Sequence, residues 1–206
     1  MGTRHLICIV KDNNYKVAQY GQWDGYPEGQ GLNILKFLKD EFIKNKFKEK
    51  LQKSVTFIND KELEYRWRNM GAIEYPRVSI KISKEFRKKY PENHRDTGSK
   101  ILNIIQNTSK QLKLINDLNF AEDSSYCEWG YVIDLDKNTF EIYKGFNMKP
   151  LLKNERFYFL QKQNTGYYPI KHIVTYNLRE LPFEEEFLNY FKINKVSWIN
   201  YIKSWF

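Results

Sequence analysis

Thr3, Arg4 and His5 stand together near the start of the chain, and Gln22, Trp23 and Asp24 stand together some twenty positions later. A hydroxyl, an imidazole, a carboxamide and a carboxylate are the groups that acid–base chemistry, or the capture of an anion, would use. A hairpin would join the two runs. Residues 5–10 are β-rich, Asp12-Asn13-Asn14 is turn chemistry, and residues 15–22 continue as a second strand. With Asn13-Asn14 as a two-residue type I′ turn, Asp12 lies opposite Tyr15, Val10 opposite Val17 and Ile7 opposite Tyr20. That register sets His5 against Gln22 and Thr3 against Asp24, all on one face, with Arg4 and Trp23 on the other. It also sets Lys11 against Lys16, a mild cost.

As a catalytic set, His5 is the general base, Asp24 fixes its tautomer, and Thr3 or water is the nucleophile toward a phosphodiester or amide bond. As a binding set, Arg4 offers a planar fork to phosphate or carboxylate and Gln22 an amide. The plainer alternative is that these polar groups satisfy one another at a strand end. The next segment, residues 23–31, is a glycine-punctuated loop ahead of a helix. Gly25, Gly29 and Gly31 can bring backbone N–H groups close to an anion, and Trp23 and Tyr26 can cover a ring. The order of glycines matches neither the Walker loop nor the dinucleotide fingerprint. Arg95, before Asp96-Thr97-Gly98, is a second cation for the same anion, while Asp96 or Thr97 reads first as a helix cap.

Several elements must hold these groups. A long helix is expected over residues 32–52, a short one over 60–69, and a strand over 78–82, with Ser83 capping the turn after it. Another helix runs through Ile101, Leu102, Ile104 and Ile105. A hairpin follows over residues 131–135 and 140–143, then strands at 156–160 and 170–176, then an aromatic helix over 183–206. Strands at both ends and in the middle give one α+β domain over residues 1–206, with a largely antiparallel sheet and flanking helices.

Composition narrows the partners. The 206 residues carry a net charge of +9, which favours anionic partners, nucleic acid included, although the lysines are mixed with acids. No run approaches a membrane span or a signal-peptide core, so a cytoplasmic protein is expected. Cys8 and Cys127 fall in strand-like runs and read as buried free thiols; with only three histidines there is no metal signature, and no cofactor is implied. Abundant Lys, Asn, Ile and Tyr beside only Ala18, Ala72 and Ala121 fits an AT-rich genome.

Gly-Thr-Arg-His-Leu at 2–6, Ala-Gln-Tyr-Gly-Gln-Trp-Asp-Gly-Tyr-Pro at 18–27, Glu-Gly-Gln-Gly at 28–31, Arg-Asp-Thr-Gly at 95–98, Glu-Trp-Gly-Tyr-Val-Ile-Asp-Leu-Asp at 128–136 and Arg-Phe-Tyr-Phe-Leu-Gln at 156–161 carry a resemblance. Together they resemble a family found in bacteria, their phages and fungi, to which no reaction is assigned. The resemblance implies that the hairpin mouth and glycine loop are the family's hallmark. The hairpin arrangement also resembles the sandwich of N-terminal-nucleophile hydrolases. The expectation is therefore a binder, or cleaver, of a small anionic nucleotide-like ligand, such as a phage counter-defence protein acting on an immune signalling nucleotide. A hydrolase using His5, Asp24 and Thr3, and an RNA- or DNA-binding protein, are the alternatives.

Overall fold

The computed structural model describes residues 2–74, 76–162 and 166–203, with side chains described as far as residue 193. Its centre is a five-stranded sheet in the order β2-β1-β5-β6-β7. The strands are β1 (His5–Lys11), β2 (Asn14–Gly21), β5 (Trp129–Asp134), β6 (Thr139–Lys144) and β7 (Lys171–Asn177). All neighbours are antiparallel except the central β1–β5 pair, which is parallel. A two-stranded parallel sheet joins β3 (Val55–Phe57) to β4 (Leu112–Leu114). The α+β class and largely antiparallel sheet agree with the sequence, but among the described residues there is no second large sheet to complete a sandwich.

β1 is buried on both faces, which is why it reads as an unbroken apolar run. Ile7 and Ile9 join Tyr131 and Ile133 under the helices, while Leu6, Cys8 and Val10 join Val132, Tyr143 and Phe157 on the other face. Cys8 and Cys127 are both free and buried. Arg156 anchors residues 146–160 to that second face. Its guanidinium lies 2.5 Å from Asp134 and 2.7 Å from Glu141, and both carboxylates are buried. Burial alone would raise both carboxyls; the hydrogen bonds from Arg156, with others from Tyr143 and the main chain, hold them below the usual range.

The register of the first hairpin differs from the expectation. The turn residues are Asp12 and Asn13, both at φ 55°, a conformation that Asp and Asn tolerate better than most side chains. The Asp136 carboxylate accepts both of their N–H groups, at 3.0 and 2.9 Å. A bulge between Ile9 and Val10 then shifts the ladder, so Val10 faces Tyr15 but Ile9 faces Val17. His5 therefore pairs with Gly21, not Gln22. The slip also avoids the Lys11–Lys16 apposition.

The long helix over 32–52 is corrected to two. A helical stretch runs from Pro27–Gly31 through α1 (Leu32–Lys36) to Phe37–Glu41, and α2 (Lys44–Ser54) follows after a break. Buried Gln106 makes the break tolerable: it accepts the Ile43 N–H at 2.7 Å and donates to the Glu41 carbonyl at 2.8 Å. The short helix is α3 (Asp60–Asn69), as expected.

The strand over 78–82 is also corrected, to α4 (Ile80–Lys89). Ser79, not Ser83, caps it, accepting the Ile82 N–H at 3.3 Å. Val78, Ile82 and Phe86, at helical spacing, pack with Leu63 and Trp67. Helix α5 (Lys100–Asn107) begins after Ser99, so neither Asp96 nor Thr97 caps it. The strand over 156–160 is instead a loop with a short turn at Tyr158–Leu160. The C-terminal helix is α6 (Glu184–Lys203), and residues 204–206 lie outside the described residues. No helix among the described residues is long and apolar enough to cross a membrane.

Candidate functional site

The hairpin mouth is filled. His5 is 1% exposed, and a Cβ placed on Gly21 would come within 2.2 Å of its ring, so glycine is there to let the imidazole lie flat across β2. Neither ring nitrogen has a hydrogen-bond partner. Burial lowers the His5 pKa to about 4, with the nearby Thr3 carbonyl opposing the fall. The Thr3 carbonyl accepts the Gly25 N–H at 2.9 Å. Asp24 is exposed at φ 56° and accepts the Tyr26 hydroxyl at 3.2 Å. Among the described residues no hydrogen bond joins the side chains of Thr3, His5 and Asp24.

The loop donors are spent locally. Gly29 and Gly31 donate their N–H groups to the Tyr26 carbonyl, at 3.0 and 3.5 Å. A Cβ on Gly29 would lie 2.3 Å from the Asp24 carbonyl oxygen, so this glycine serves a tight contact. Arg4 lies over the Tyr126 ring at 4.8 Å and pairs with Glu128 at 3.7 Å. Gln22 accepts the Tyr20 hydroxyl through its side chain and donates its N–H to the Arg95 carbonyl at 3.0 Å.

That last bond leads out of the hairpin to its outer edge, where an open cavity of about 840 Å³ lies between β2, α4 and the loop over residues 91–97. Of the sequence candidates, Trp23 and Arg95 line it. Gln19, Arg77, Ser83, Lys84, Arg87, His94 and Asp117 also line it, none of them a ligand candidate from the sequence. Edge-strand chemistry explains part of the arrangement. The Tyr20 N–H on the open side of β2 is met by the Asp117 carboxylate at 3.0 Å, and the Asp117 N–H donates to the Ala18 carbonyl at 2.8 Å.

Asp96 organises the mouth. It accepts the Trp23 indole N–H at 3.0 Å and lies 3.7 Å from Arg87, 3.9 Å from Arg95 and 3.7 Å from His94 Nδ1. The Asp96 main-chain N–H donates to that same Nδ1 at 3.2 Å. The remaining ring proton of neutral His94 therefore sits on Nε2, facing Ser83 Oγ at 3.0 Å. Burial, with Arg87 and Arg95 nearby, lowers the His94 pKa despite Asp96. Arg77, Lys84, Arg87 and Arg95 line the cavity together with two carboxylates, Asp96 and Asp117. Trp23 and Trp67 add ring surface, the latter stacked on Phe86 with centroids 3.5 Å apart.

The helical spacing of α4 brings Ser83, Lys84 and Arg87 to one side, a juxtaposition that a strand over 78–82 would not make. The signal was present in Ser79 as cap and in Ile82–Phe86 at i,i+4. Among the described residues no cluster of His, Cys, Asp and Glu could hold a metal. No family model, curated protein or solved structure matches this chain.

Proposed function

We propose that this protein binds a small anionic, ring-bearing ligand of nucleotide type in the cavity beside β2. One observation carries the reading: a cavity wide enough for a nucleotide has four cations against two carboxylates in its wall, with two tryptophans beside them. Arg87 and Arg95 are already oriented by Asp96, which lowers the cost of ordering them on a phosphate. Trp23 is held by its indole N–H, leaving its face for a base. A viral protein with such a site would serve by sequestering a host signalling nucleotide.

Isothermal titration with inorganic phosphate, nucleoside mono- and diphosphates, and cyclic mono- and oligonucleotides tests this. The expected result is saturable binding of ring-bearing phosphates, tighter than inorganic phosphate, and weakened roughly tenfold or more by Arg87→Ala. Absence of heat across the whole panel would overturn the proposal.

A further inference from the structure

The cavity has two unlike walls. Arg77, Lys84, Arg87 and Arg95 belong to α4 and the loops beside it, whereas Gln19 and Asp117 stand on the strand side. Asp117 is fixed to the residues flanking Gln19 through Ala18 and Tyr20. Despite the cations opposite, Asp117 forms no ion pair among the described residues, and burial raises its pKa. Gln19 beside it is 4% exposed, and its Oε1 has no hydrogen-bond partner. A half-buried carboxylate with one main-chain donor and a buried amide carbonyl with none both keep acceptor capacity that a further donor would use. Arg87 and Arg95 pair with Asp96 on the other wall, and no cation among the described residues pairs with Asp117, which leaves its further acceptor capacity to a donor on the ligand.

Resting on the reading of the cavity as a nucleotide site, we propose that its ligand carries guanine, whose Watson–Crick edge donates to Asp117 with Gln19 beside it, while the phosphate lies at the α4 rim. Guanine sets two adjacent donors, N1–H and the 2-amino group, on one edge, which matches the two oxygens of a carboxylate. Adenine and cytosine place a bare ring nitrogen beside their amino group, and its lone pair would face the carboxylate. Uracil flanks its single N–H with carbonyls. An acceptor pocket of this type disfavours a base that lacks the donors, because a ring lone pair then faces the acceptor capacity that Asp117 keeps beyond its bond to the Tyr20 N–H.

Titration of the wild-type protein with guanosine, inosine and adenosine 5′-monophosphates, and with inorganic phosphate, tests this without any variant. Guanosine monophosphate is expected to bind at least about tenfold more tightly than inosine monophosphate, which lacks the 2-amino group, and than the adenosine form. Asp117→Asn, which keeps an acceptor for the Tyr20 N–H, is expected to remove that preference while phosphate still binds, no more weakly than to wild type; thermal unfolding verifies that it folds. Equal affinity for the three nucleotides overturns the guanine assignment while the anion cavity stands. No binding of any nucleotide or of phosphate overturns the cavity reading, and this inference with it.

Discussion

The two sides of one hairpin treat buried polar atoms in opposite ways. At the mouth, His5 has two unpartnered ring nitrogens, but Gly21 and Gly25 bring backbone against the ring and leave it no room for a ligand. On the outer edge, Gln19 has one unpartnered oxygen and borders a cavity of about 840 Å³. Chemistry-bearing residue types are thus present at both places, and only the second also has space and surrounding charge. Glycines beside a histidine here mean close contact rather than access.

The sharpest way to break the comparison is to change one residue on each side. Gly21→Ala sets a methyl group 2.2 Å from the His5 ring and is expected to cost about 3 kcal/mol, read as a drop in the urea midpoint. Arg95→Ala, on the exposed rim, is expected to change stability by less than about 0.5 kcal/mol while weakening the ligand. If the alanine at position 21 were tolerated and instead altered binding, the mouth and not the edge would be the site.

A smaller effect separates the two regions by pH. Folded His5 stays neutral down to about pH 4, whereas in the unfolded chain it takes up a proton near its ordinary value of 6.5. The unfolded state therefore binds more protons between those values, and stability falls as pH drops through that window, levelling off below it. From pH 7 to pH 5 the His5 share of the loss is about 2 kcal/mol, and His94, lowered in the same direction, adds to it. Urea midpoints at the two pH values should show a shallower decline in His5→Gln than in wild type. Equal declines would mean that His5 protonates freely, and hence that the mouth is open to water.

How much of this was legible depended on whether local pattern or distant partners decided the outcome. The β1 and β5 runs, α3 and the β5–β6 hairpin follow from periodicity and turn residues alone. The hairpin register did not, because the turn is held by Asp136, over 120 residues away, and a bulge cannot be read from alternation. Trp23 and Arg95 were legible as ligand candidates from their types. Gln19 and Asp117 were not: a glutamine inside a strand and an aspartate after one gain meaning only when the edge of β2 meets residues 116–117.

The smallest expected effect concerns Ser83, where the cavity comes nearest to a hydrolytic arrangement. A serine oxygen 3.0 Å from an imidazole nitrogen, with a carboxylate 3.7 Å beyond the other nitrogen, has the order of groups of a catalytic triad. In a triad the carboxylate accepts a hydrogen bond from Nδ1–H and leaves Nε2 free to accept from serine. Here the Asp96 main-chain N–H occupies Nδ1, so Nε2 carries the proton and donates to Ser83. A serine that receives a hydrogen bond from its would-be base is not activated; its own proton is left for a ligand oxygen. A fluorophosphonate probe is therefore expected to leave Ser83 unlabelled. Ser83→Ala should lower stability by no more than about 1 kcal/mol and ligand affinity by no more than about threefold, the loss of one neutral hydrogen bond. Labelling that vanished in Ser83→Ala would reverse the tautomer, and with it the distinction between a cavity that holds its ligand and one that cleaves it.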